Sequence, residues 1–122
     1  MFNLKREADN FLKRLTFAFS GIISAFKRER NLHIQSIVAI IVIVSAILIH
    51  VTLTDFMIIL ILIGGVISLE LVNTAIERAV DLTTQKPHPL AKAAKDTAAG
   101  AVLCFSIISV IIGFMILYKT LL

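Results

Sequence analysis

Residues 55–81 read DFMIILILIGGVISLELVNTAIERAVD. From Phe56 to Leu69 the stretch is apolar for 14 residues, which as a helix rises only about 21 Å. That is too short for a bilayer core of about 30 Å. The helix must therefore run on through Glu70, Asn73, Glu77 and Asp81. From Asp55 to Asp81 it rises about 39 Å, enough to cross and emerge. At about 100° per residue these four side chains fall within about 80° of arc, on one face of the helix.

Two further runs flank this one. Thr97 to Tyr118 carries no formal charge over 22 residues, and Leu32 to Leu53 is rich in Ile, Val and Ala, with His33 and His50 only near its ends. Either run is long enough to cross a bilayer as a helix. The composition agrees: 58% hydrophobic, 16% charged, with a mean hydropathy of +0.95. Soluble domains are about 45–50% apolar and about 25% charged, and 122 residues cannot hide such an excess inside a soluble core. The predicted fold is therefore all-α and integral to the membrane. Its spans are residues 32–53, 55–82 and 91–119, within a single domain of residues 1–122. His50 to Asp55 is a tight turn, and Thr83 to Leu90 holds both prolines, Pro87 and Pro89, which break the helix.

Residues 1–30 form a different element. Phe11, Leu15, Phe19, Ile22 and Phe26 recur at spacings of three and four, flanked by Lys13, Arg14 and Lys27. That pattern predicts an amphipathic helix over Ala8 to Phe26, lying on the membrane surface or on the protein's own loops. The segment Met1 to Arg30 is charged and lacks an apolar core, so it is not read as a signal peptide. The net charge of +4 is a topology signal, not a mark of nucleic-acid binding. Of twelve Lys/Arg residues, seven lie between Lys5 and Arg30, and four more are Arg78, Lys86, Lys92 and Lys95. With three spans these eleven share one side, which the positive-inside rule makes cytoplasmic. The C-terminus is then outside.

Ionisable side chains within a span cost on the order of 2.5–3.5 kcal/mol at the helix centre and commonly mark function. Glu70 lies about 22 Å from the outer end, in the inner third of the core, while Glu77 and Asp81 lie at the inner interface. Read structurally, the stripe is a polar seam that hydrogen-bonds neighbouring helices. Read chemically, carboxylates beside cytoplasmic lysines fit a divalent cation holding phosphates, because hard cations prefer oxygen ligands. Lys95 reads equally as a snorkelling anchor. Glu29, between Arg28 and Arg30, and Lys92, Lys95 and Asp96 are available on the same side. Soluble signatures such as GxxxxGK[ST], GxGxxG and HExxH are absent, and His33, His50 and His88 are scattered. Cys104 is the only cysteine, so neither an intrachain disulfide nor a Cys-based metal site is expected.

The stretch Glu70-Leu-Val-Asn73-Thr-Ala-Ile-Glu77-Arg-Ala-Val-Asp81 resembles the ExxNxAIExxVD signature of the prokaryotic diacylglycerol kinase family. His88-Pro-Leu-Ala-Lys-Ala-Ala-Lys95-Asp96 resembles its second block and Glu29-Arg-Asn31 a third. The wording is most similar to the undecaprenol kinase branch typical of Gram-positive bacteria. The resemblance implies a kinase of the bacterial cytoplasmic membrane that moves the γ-phosphoryl of ATP onto a lipid hydroxyl, working as a homotrimer with sites between subunits. It implies Glu70 as general base with Asn73 in support, and Glu29 and Glu77 as ligands of Mg²⁺ and, through it, of ATP. It implies Lys95 and Asp96 at the nucleotide, Lys86 and His88 in a loop covering it, and Phe17 near the adenine. Some members use an arginine near position 10; here the residue is Asn10, so Lys13 or Arg14 would have to take its place.

Three rival readings stay open on sequence alone. One is the same chemistry on diacylglycerol. Another is a non-catalytic membrane subunit whose acidic stripe is an assembly seam. The third is a small proton or cation conductor built on Glu70. Incubation with ATP, Mg²⁺ and lipid alcohols in detergent separates them.

Overall fold

The computed structural model describes residues 3–122. Four helices follow in order: α1 (Leu4–Arg28), α2 (Arg30–Leu48), α3 (Leu53–Thr83) and α4 (Pro89–Leu121). The last three are long and apolar enough to cross a membrane. α3 is the hub, packing against α4, α2 and α1.

Each boundary has a local cause. Asn3 caps α1, its side chain accepting from the backbone N–H groups of Lys5 and Arg6 at 3.1 and 3.3 Å; this satisfies donors that the first turn leaves unpaired. α1 runs longer at both ends than the stripe over Ala8 to Phe26 indicated. It ends where Glu29 adopts extended backbone, and the His33 ring N–H donates to the Phe26 carbonyl across the break. α2 stops at Leu48, short of the predicted limit at Leu53, because His50 takes a left-handed conformation (φ 58°) and closes the turn. Thr52 then caps α3 through the N–H of Asp55 at 3.1 Å. Between α3 and α4 the loop is ordered by Thr84, whose hydroxyl accepts from the Lys86 N–H at 3.2 Å. His88 caps α4, its Nδ1 accepting from the Leu90 N–H at 3.1 Å, with Pro89 in the first turn, where a missing N–H costs nothing.

At the end of the bundle away from the α3–α4 loop, Ala46, Ile59 and Ile116 form a small core joined by Val51, Phe56 and Ile112. Lys119 of α4 pairs there with the buried Asp55 of α3 at 2.7 Å, tying the two long helices together. Midway, Gly65 lies so close to the Phe105 ring that a Cβ on Gly65 would collide with it, whereas Gly64 meets nothing. Of the glycine pair, only Gly65 is a packing contact within the chain. Most of the large apolar side chains of α2 and α4 remain exposed, which suits surfaces facing lipid or other subunits.

Candidate active site

The acidic stripe on α3 does not lie open. Glu70 is 2% exposed, Asn73 6% and Thr74 2%, while Glu77 is half-buried and Asp81 exposed. The Thr74 hydroxyl donates to the Glu70 carbonyl at 2.9 Å. That back-bond turns the polar end of Thr74 into its own helix. The Glu70 carboxylate meets an amide from another helix: Gln35 Nε2 on α2 donates to Glu70 Oε2 at 3.2 Å. Asn73, expected in support of Glu70, donates its amide to Glu77 Oε1, one turn on, at 3.4 Å. Its Oδ1 is buried with no hydrogen-bond partner.

The three ion pairs among the described residues join Lys92 to Asp96, Lys95 to Asp81 and Lys119 to Asp55; none involves Glu70. A buried carboxylate is costly unless paired or hydrogen-bonded, and here one side-chain amide meets it. An ionisable side chain buried within a membrane span is a candidate for chemistry.

One helical turn beyond Glu77 the stripe meets α4. Asp81 pairs with Lys95 at 2.5 Å, and Lys92 with Asp96 at 2.6 Å. These four residues, with Lys86 and His88 from the loop, line a cleft of about 650 Å³. The structure thus gathers Lys86, His88, Lys95 and Asp96 around one cavity. The cap on α4 uses His88 Nδ1, so only Nε2 is left to reach a ligand. Phe17 stands apart, 71% exposed on α1, and Glu29 sits partly buried at the corner between α1 and α2. No group of three His, Cys, Asp or Glu side chains is placed to hold a metal ion among the described residues. Gln35 was not among the residues expected from sequence; a lone amide in an apolar run offers no periodic signal.

Residues 16–117 match the family described as prokaryotic diacylglycerol kinase. The chain belongs to that family. It is therefore a lipid kinase. It is 48% identical to the undecaprenol kinase of Bacillus subtilis (strain 168), covering 92% of this chain and 91% of that one. It is 40% identical to a diacylglycerol kinase of Synechocystis, over 98% of this chain and 69% of that one. A shorter match, 58% identical over 33 residues, is to the diacylglycerol kinase of Helicobacter pylori (strain J99) and covers 26% of that chain. Family membership sets aside the readings of the protein as a non-catalytic assembly subunit or an ion conductor. The buried carboxylate of α3 and the charged cleft about three turns further along that helix are the candidate catalytic surroundings of this membrane kinase.

Proposed function

We propose that this kinase transfers the γ-phosphoryl group of ATP to undecaprenol at the cytoplasmic face of the membrane, giving undecaprenyl phosphate. The observation that carries the substrate is the 48% identity to an undecaprenol kinase, which extends over 91% of that relative.

In this reading Glu70 accepts the proton of the lipid hydroxyl as its oxygen bonds to the γ-phosphorus and the bond to the β-phosphate oxygen breaks, releasing ADP. Phosphoryl transfer demands positioning and charge neutralisation more than covalent chemistry. A carboxylate held at the lipid boundary meets a head group while the long tail stays in the bilayer. Lys95 and Asp96 hold the nucleotide in the cleft and Lys86 and His88 cover it, while the family resemblance alone assigns Phe17 to the adenine. Glu29 and Glu77 would hold Mg²⁺. The donor set suits that ion: Mg²⁺ takes one or two carboxylates and completes its shell with phosphate oxygens and water, and the orphaned Asn73 Oδ1 beside Glu77 adds a further hard oxygen. When bound, the ion supplies neutralisation of phosphate charge. Asn73, by holding Glu77, keeps that carboxylate aimed.

The same proposal places α1 on the cytoplasmic surface, since Phe11, Leu15, Phe19 and Ile22 are exposed and basic residues flank them. It takes residues 1–122 as one membrane domain, assembled as a homotrimer with composite sites; the family resemblance supports this. The N-terminus is cytoplasmic and the C-terminus outside, because eleven of the twelve basic residues lie on one side of three spans. A reporter fused after Leu122 is expected to behave as extracytoplasmic, and a cytoplasmic signal there would overturn the orientation.

The substrate assignment is tested by competition. Undecaprenol and diacylglycerol, presented in one mixed micelle with ATP and Mg²⁺, are expected to be phosphorylated at unequal rates favouring undecaprenol. A preference for diacylglycerol would instead align the chain with its Synechocystis relative.

A further inference from the structure

Glu70 and Gln35 stand 35 residues apart in sequence and 3.2 Å apart in space. Gln35 lies in the second turn of α2, and its Oε1 is buried without a hydrogen-bond partner. A carboxylate only accepts, so the amide must turn its NH₂ toward Glu70; the reverse orientation would set two acceptors face to face. The amide is thereby fixed, and it engages only Oε2. The other carboxylate oxygen takes no hydrogen bond from the described residues.

Gln35 also lines an apolar cavity of about 460 Å³ bounded by α2, α3 and α4, beside Ile34, Val38 and Ala39. It therefore stands where apolar lining gives way to the buried carboxylate.

We infer that Gln35 is a positioning residue: its amide holds the Glu70 carboxylate so that the second oxygen faces the incoming lipid hydroxyl. A glutamate has three side-chain torsions, and without an anchor its carboxylate samples several directions. A misplacement of about 1 Å is enough to cost on the order of 100-fold in rate. The inference rests on the reading of Glu70 as the base.

The test is a kinetic comparison on the full-length protein in detergent. Gln35→Leu keeps the apolar volume but removes the donor. It is expected to lower kcat by on the order of 10- to 100-fold and to leave KM for MgATP unchanged. Gln35→His, which keeps an N–H of similar reach, is expected to recover part of that loss. Added to Glu70→Gln, Gln35→Leu is expected to cost nothing further, because residues acting as one unit are not additive. Wild-type kcat in Gln35→Leu, a rise in KM alone, or losses that multiply in the double variant would overturn the inference. Should Gln35→Leu fail to assemble, the unbranched Gln35→Met carries the same comparison. Normal activity in Glu70→Gln alone would remove the base assignment itself. An inactive Glu70→Gln beside a normal Gln35→Leu would overturn only the positioning role.

Discussion

Glu70→Gln is expected to lower lipid phosphorylation by about 10²- to 10⁴-fold, the range for loss of a general base, with MgATP binding retained. The environment of the residue makes the substitution informative. Glu70 is 2% exposed, and its carboxylate is met by an amide, with no cation paired to it among the described residues. Gln is nearly isosteric with Glu, and its Oε1 still accepts from Gln35, so the contact between α2 and α3 survives. Burial of a neutral amide is also cheaper than burial of a carboxylate. A purely structural role would thus tolerate the change or gain stability from it. Size-exclusion in detergent and binding of MgATP establish that the variant is assembled. Near-normal kinase activity in such a preparation would exclude Glu70 as the base.

Much of this arrangement is legible in the sequence because membrane helices write their length and sidedness in composition. The 14-residue apolar run before Glu70 forces α3 to carry its acidic stripe through the inner part of the span, and α3 does continue unbroken to Thr83. The end of α2 is less legible. Val51 is apolar because it packs on the core around Ala46, Ile59 and Ile116, so the turn that contains it reads like a continuation of the span. Only backbone handedness at His50 marks the boundary, and hydropathy does not register it.

Pairings between helices are legible only when both partners are charged and their helices have matching lengths. Lys119 stands alone at one end of the sequence and Asp55 alone near a turn. Their contact follows once α3 and α4, with 31 and 33 residues, run antiparallel from a short loop. The same geometry brings Asp81 to Lys95 at the other end. Gln35 is different. It sits in an otherwise apolar helix, and which face it turns to α3 depends on the packing of the two helices. The charges that form the stripe were visible, whereas the neutral side chain that meets the deepest of them was not.

Glu77→Gln is expected to abolish measurable MgATP binding and, with it, activity, while the protein still assembles. Glu77 is half-buried one turn from Asn73, whose amide donates to its Oε1 at 3.4 Å. That bond engages one carboxylate oxygen, and the proposed reading gives the other to the cation. The amide of a Gln side chain offers one neutral oxygen in place of a charged pair, and Mg²⁺ demands close approach of hard, preferably anionic ligands. Changing groups that merely orient metal ligands costs about 10- to 100-fold in affinity, so removing a direct anionic ligand is expected to cost more than that. Glu77 is not required for the ion pair that joins α3 to α4 on this side, which Lys95 makes with Asp81, so the helix packing survives. Titration calorimetry with MgATP decides the matter. Unchanged affinity in an assembled Glu77→Gln protein would overturn the ligand assignment. Weakened MgATP binding alongside unchanged binding of metal-free ATP would place Glu77 at the metal and not at the nucleotide itself.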